Sequence, residues 1–148
     1  MKPDSQEMFS RLRDYGLRPT EARRRVLALL TRENLHLTTE GIMQALHNKG
    51  YPLSVATLYQ NLNKLVEAGL LVHIKGPDGL MRFDANLAPH HHLVCRKCGK
   101  MVDVKSSEET LLKKHPLDFQ SGIPLSDWQL EHIKIEFKGT CPDCKRLD

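Results

Sequence analysis

Three absences narrow the field first. No run in this 148-residue chain approaches the ~20 consecutive apolar residues that span a bilayer. A membrane protein is therefore not expected. The opening Met1-Lys2-Pro3-Asp4-Ser5-Gln6 leads into no apolar core and no small-residue cleavage site. No secretory signal is expected, and the cytoplasm is the expected compartment. In such a chain four cysteines do not read as a disulfide scaffold; their pairing points to metal. The signatures of catalytic zinc are missing too. Neither H-E-x-x-H nor H-x-E with P-C-x-x-C occurs. A zinc hydrolase or deaminase would lack its catalytic glutamate, and an enzyme is not expected.

The charge excess is also slight, a net of +4, but it is unevenly placed. Residues 1–83 carry 12 Lys/Arg against 8 Asp/Glu, whereas residues 84–148 carry 10 of each. All four cysteines and five of the eight histidines fall in the second stretch. A basic front half joined to a His/Cys-rich back half is the organisation this implies.

The front half reads as helices and a hairpin. Asp4 and Glu7 have capping-box spacing, and Met8, Leu12 and Tyr15 share a face that Gly16 ends. Thr20 caps a second helix with a stripe of Val26, Leu27, Leu29 and Leu30. A third starts near Thr38 and buries Ile42, Met43 and Leu46. After the turn Tyr51-Pro52-Leu53, Ser54 caps a fourth, in which Val55, Leu58, Leu62, Leu65 and Val66 keep helical spacing up to Gly69. The last two form a helix-turn-helix candidate. The second helix of the pair is expected to expose Thr57, Tyr59, Gln60, Asn61 and Lys64, hydrogen-bonding groups suited to base edges and phosphates. Residues 70–75 and 80–83 flank Gly76-Pro77-Asp78-Gly79 as a strand-turn-strand unit. Helices followed by a hairpin is the winged-helix order. Arg23 and the wing residue Lys75 are secondary phosphate candidates.

The back half carries two constellations. Cys95, Cys98, Cys141 and Cys144 have the spacing C-x2-C-x42-C-x2-C. Two such turns supply a closed tetrahedral thiolate shell with no open position, so a structural Zn2+ is expected. His90-His91-His92 precedes the first pair; in an extended segment His90 and His92 point the same way. Asp84 and Asp103 flank them, and mixed imidazole and carboxylate donors suit Fe2+, Mn2+ or Zn2+.

Several stretches now carry a family likeness: Leu17-Arg18-Pro19-Thr20-Glu21-Ala22-Arg23, Ala56-Thr57-Leu58-Tyr59-Gln60-Asn61-Leu62, Arg82-Phe83-Asp84, residues 90–100, and Gly139-Thr140-Cys141-Pro142-Asp143-Cys144. Over nearly its whole length the chain resembles the ferric uptake regulator family of bacterial metal-dependent repressors. The resemblance implies an α+β fold. Residues 1–83 would form an N-terminal winged-helix DNA-binding domain, and residues 84–148 a small α/β dimerisation domain with a four-cysteine zinc site. It implies a homodimer on a double-stranded operator, an inverted repeat if the dimer is two-fold symmetric.

Within the family the chain looks most like the peroxide-sensing branch. There the regulatory Fe2+ or Mn2+ ligands fall on His36, Asp84, His90, His92 and Asp103; the iron-sensing branch carries Glu at the two acidic positions. The implied mechanism is iron-dependent oxidation of a ligand histidine, His36 or His90, that ends repression. The alternative is a reversible iron or manganese sensor with the same ligands. Two departures stand out. Gln60 replaces the arginine usual after the tyrosine. A third metal site is incomplete, with Pro89 at its first histidine and only His91, Glu108, Glu109 and His132 as an auxiliary set.

Overall fold

A computed structural model describes residues 5–33, 36–105, 128–129, 131 and 134–147. Among these, no helix is long and apolar enough to cross a membrane.

The front half holds helices α1 (Ser5–Asp14), α2 (Glu21–Glu33), α3 (Thr39–Asn48) and α4 (Val55–Glu67). Their starts follow the capping residues. Thr38 accepts the Gly41 N–H at 3.1 Å, and Ser54 accepts the Thr57 N–H at 3.1 Å. Thr20 makes a longer contact with the Arg23 N–H, 3.4 Å. At the end of α4, Gly69 adopts φ +77°, which lets the Leu70 N–H fold back onto the Leu65 carbonyl at 2.8 Å. Met8 and Leu12 of α1, Val26, Leu27 and Leu30 of α2, Ile42 and Leu46 of α3, and Leu58, Leu62 and Leu65 of α4 form one buried core. Each such side chain contributes about 1.5–3 kcal/mol by leaving water.

Two residues depart from the expected faces. Tyr15 lies beyond the end of α1 and is 44% exposed; Val55 occupies the first turn of α4 and is 56% exposed. Helical spacing extends through both, but the packed length of each helix does not. Asp4, half of the expected capping box, lies outside the described residues.

Strands β1 (Val72–Lys75) and β2 (Met81–Asp84) pair antiparallel with Val72 opposite Asp84 and Ile74 opposite Arg82. They form the wing, so the helices plus hairpin make the expected winged helix. The 83/84 boundary cuts through the last residue pair of β2. A bridge, Phe83 N–H to Leu37 carbonyl at 3.1 Å, ties β2 to the segment entering α3. That bond sets His36 beside Asp84.

The back half contains a three-stranded sheet, β4-β3-β5, in which β3 (His91–Cys95) is antiparallel to β4 (Met101–Val104) and parallel to β5 (Glu136–Gly139). A short helix α5 (Pro142–Lys145) follows. The halves are not independent. Ile74 of the wing packs with Val94 of β3 and Met101 of β4 in a second small core. Beside it, Arg82 forks onto Asp78, Nη1 donating to Oδ1 and Nη2 to Oδ2, each at 2.7 Å. That hydrogen-bonded guanidinium holds the Asp78 carboxyl well below the usual carboxylate range. The same guanidinium lies over Gly99, where an added Cβ would meet Arg82 Nη2 at 2.7 Å.

Candidate metal centre

Two sets of donors converge. In the first, the Cys95 and Cys98 turn at the end of β3 faces the Cys141 and Cys144 turn around α5. All four sulfurs lie within 4.8 Å of one another, and Cys98 Sγ is 3.7 Å from Cys141 Sγ. A disulfide would need ~2.05 Å. Four thiolates at ~2.3 Å from one tetrahedral zinc sit about 3.8 Å apart, so the observed spacing fits such an ion.

Backbone amides prepare the shell. The Cys141 N–H points at Cys95 Sγ, 3.3 Å away. This contact first, and then the Cys98 amide, pull the Cys95 thiol down to about 6. Hydrogen bonding to the neighbouring thiols of Cys98 and Cys141 pushes Cys144 up to about 12. Without a cation, four sulfurs cannot all ionise at this spacing; a divalent ion removes the conflict.

The second set draws on four separate segments. His36 precedes α3, Asp84 ends β2, His90 and His92 bracket the start of β3, and Asp103 lies on β4 directly opposite His92. One donor atom from each comes within 4.8 Å of all the others. His36 Nε2 is 3.0 Å from Asp103 Oδ1, 3.3 Å from Asp84 Oδ2 and 3.2 Å from His92 Nε2. His90 Nε2 is 2.8 Å from His92 Nε2 and 3.0 Å from Asp84 Oδ2. The expected alternation of His90 and His92 onto one face is therefore realised.

These donors also fit a metal. Ligands at roughly 2.1 Å from a shared ion lie about 3 Å apart when adjacent and about 4 Å apart across it. Asp84 Oδ2 and Asp103 Oδ1 are buried and take no well-aligned hydrogen bond. Two such oxygens facing three imidazoles are costly unless a cation joins them. Two carboxylates with three neutral imidazoles balance a divalent charge. Burial raises the Asp84 carboxyl, but the nearby imidazoles of His36 and His92 and the hydrogen bond from the Asn86 amide outweigh it, leaving Asp84 well below the usual range. His90 Nδ1 lies 2.7 Å from the Ala88 carbonyl; donating its proton there leaves Nε2 a lone pair for the centre.

Sequence reasoning passed over Asn86, although its backbone and side chain touch both carboxylates. Its position between Asp84 and His90 was the available signal. His91, by contrast, faces the other way: it is buried, and its Nδ1 accepts the Ile135 N–H at 3.2 Å. Its expected auxiliary partners Glu108, Glu109 and His132 lie outside the described residues.

Helix α4 departs at one residue from the expected exposed face. Tyr59, Gln60 and Lys64 are exposed, and Thr57 is half-buried with its hydroxyl 2.8 Å from that of Ser54. Asn61 is buried, 8% exposed, and its Nδ2 donates to the Thr57 carbonyl at 2.7 Å. The polar label suggested an outward face, but the helical phase places Asn61 beside Leu58, Leu62 and Leu65, where its amide is satisfied internally. Arg23 is half-buried with Nη1 on the Arg18 carbonyl at 2.8 Å; Lys75 is exposed at the end of β1.

A winged helix carrying a thiolate shell and a separate His/Asp centre defines a metal-responsive DNA-binding regulator. The ferric uptake regulator family model matches residues 14–133, and the chain belongs to that family. A peroxide-responsive repressor of Staphylococcus epidermidis is 34% identical over 143 residues, 95% of this chain and 89% of the relative. Among solved structures, the Vibrio cholerae ferric uptake regulator superposes with a TM-score of 0.65 at 24% identity, covering 89% of this chain and 98% of that one. The Pseudomonas aeruginosa ferric uptake regulator with manganese gives 0.62 at 25% identity, covering 90% and 96%.

Proposed function

We propose that this chain is a homodimeric transcriptional repressor that holds its operator while the five-ligand centre is loaded and releases it when peroxide oxidises that centre. The observation that carries the reading is the reach of His36. It comes from the helical half, yet its Nε2 lies 3.0 Å from Asp103 on β4 of the back-half sheet. An ion shared by these groups ties the recognition helix to the other half. In a dimer this sets the spacing of two α4 helices, which must match half-sites about one helical turn or a multiple apart.

The shift is a matter of differential affinity: moving a population from 1:99 to 99:1 requires about 5.5 kcal/mol. Five ligands that converge only when the halves are correctly placed are a source for that difference. Fe2+ held by His36, Asp84, His90, His92 and Asp103 would reduce peroxide and direct the oxidation to a neighbouring imidazole, His36 or His90. The chain's own part is to present those rings and to lose its clamp when one is altered. The four cysteines hold Zn2+ as a structural staple. Thr57, Tyr59, Gln60 and Lys64 face the operator, an inverted repeat, with Arg23 and Lys75 on phosphates.

The relatives named as peroxide-responsive repressors, and Asp at both acidic positions, support peroxide over simple metal level as the signal. The test is anaerobic. Zinc-containing protein is loaded with Fe2+, given one equivalent of hydrogen peroxide, and digested for peptide mass spectrometry. One added oxygen on the His36 peptide or on that bearing His90 and His92, absent with Mn2+, is the expected result. Unmodified peptides with unchanged DNA affinity would assign a reversible metal sensor instead.

A further inference from the structure

The connection between β2 and β3 is short, yet one residue in it touches both carboxylates of the His/Asp centre. The Asn86 backbone N–H donates to Asp84 Oδ1 at 2.7 Å. Its side-chain Nδ2 donates to Asp103 Oδ2 at 2.8 Å. Asp84 and Asp103 stand on different strands, 19 residues apart in the chain. Asn86 is thus the cross-tie that gives both the same orientation. The outer oxygen of each carboxylate is occupied by Asn86. The inner oxygens, Asp84 Oδ2 and Asp103 Oδ1, are left to face the imidazoles.

This matters because a carboxylate otherwise has two ways to bind a cation. It can offer one oxygen, or rotate and offer both. With its outer oxygen held by a hydrogen bond, the first mode is favoured. We propose that Asn86 is a positioning residue for the regulatory centre, fixing each aspartate as a one-oxygen donor and so setting the donor count at five. The inference rests on the reading of these five residues as a metal site and specifies how that site is tuned. The backbone contact survives any substitution at 86 that keeps a backbone N–H, all but proline; the Asp103 contact does not. The effect of changing residue 86 should therefore act chiefly through Asp103.

The test uses full-length, zinc-containing protein and Mn2+ alone. Free Mn2+ is read from its solution electron paramagnetic resonance signal, and bound Mn2+ from its frozen spectrum. Losing a hydrogen-bond partner of a ligand typically costs about 10–100-fold in metal affinity. Asn86→Ala is expected to weaken Mn2+ binding within that range and to change the zero-field splitting of the bound ion. Zinc content should stay at the wild-type value, and unfolding of the Mn2+-free protein, lowered by the lost hydrogen bond to the buried Asp103 side chain, should still leave the variant folded at the assay temperature. Asn86→Gln keeps an amide donor and should lose less of both affinity and spectrum; it also decides the question if the alanine variant folds poorly. Wild-type affinity and spectrum in Asn86→Ala would overturn the proposal, as would equal losses in the two variants. Failure of the underlying reading is distinguishable: wild type would then bind Mn2+ no more tightly than His36→Ala does.

Discussion

The two metal centres differ in how far apart their ligands are recruited. The thiolate shell takes its four sulfurs from two tight turns, both in the back half. The His/Asp centre takes five donors from four segments spread over both halves. The first closes a local structure and has no reason to open. The second exists only while the helical half and the sheet hold one relative placement. A site built within one unit stabilises it; a site built between units reports on, and controls, their arrangement.

The sharpest way to break that contrast is to remove each metal in turn. Structural zinc contributes on the order of 10 kcal/mol in small zinc-dependent folds. Cys141→Ala, or zinc chelation, is therefore expected to unfold the sheet half outright, seen as loss of its circular-dichroism transition and of bound zinc. Removal of the ion from the His/Asp centre should leave fold and zinc content intact. His36→Ala comes next. Losing a ligand should cost more than the roughly 10–100-fold typical of a hydrogen-bond partner to a ligand. Isothermal titration should show that loss, and operator binding should no longer rise with added Mn2+. A variant that keeps metal-dependent binding would sink the clamp.

A smaller perturbation sharpens the boundary between the centres. Gly99 sits at φ +71° on the first thiolate turn, under the Arg82 guanidinium. Alanine there costs about 1–2 kcal/mol for its backbone conformation and pushes on Arg82 besides. The expected outcome is a thermal midpoint lowered by several degrees with full zinc content; an unchanged midpoint would mean the wing does not rest on this turn. The smallest effect belongs to Lys64→Ala, which touches neither centre. Its surface pair with Glu67, 2.8 Å, is worth a few tenths of a kcal/mol at most. Stability should hardly move, while operator affinity falls alike for all sequences and its salt slope drops by about one.

Much of this was legible beforehand because its causes are local. Thr38 and Ser54 announce helix starts through their own side chains, and the C-x2-C pairs announce a tetrahedral shell through spacing. His90, His92, Asp84 and Asp103 stand out from the pattern of the chain, whereas His36 and the set of five came only from family likeness; residues 36 and 103 are too distant in the chain for any local pattern to join them. Asn61 shows the opposite failure. A polar side chain was read as surface, yet the phase of α4 turns it inward, where the Thr57 carbonyl satisfies it. Asn86 and the Arg82–Asp78 fork carried no motif at all. Their roles come from what lies across from them.

By itself, then, the chain determined the helix boundaries, the hairpin and each C-x2-C half of the zinc shell, because each depends on residues within a turn or two of one another. Only the tertiary structure decided the rest. The Leu37–Phe83 bridge carries His36 to Asp84, the β3–β4 register sets His92 opposite Asp103, and Asn86 aligns the two carboxylates. Metal coordination demands donors placed to a few tenths of an ångström in three dimensions, and that precision is a property of packed elements rather than of intervals along the chain.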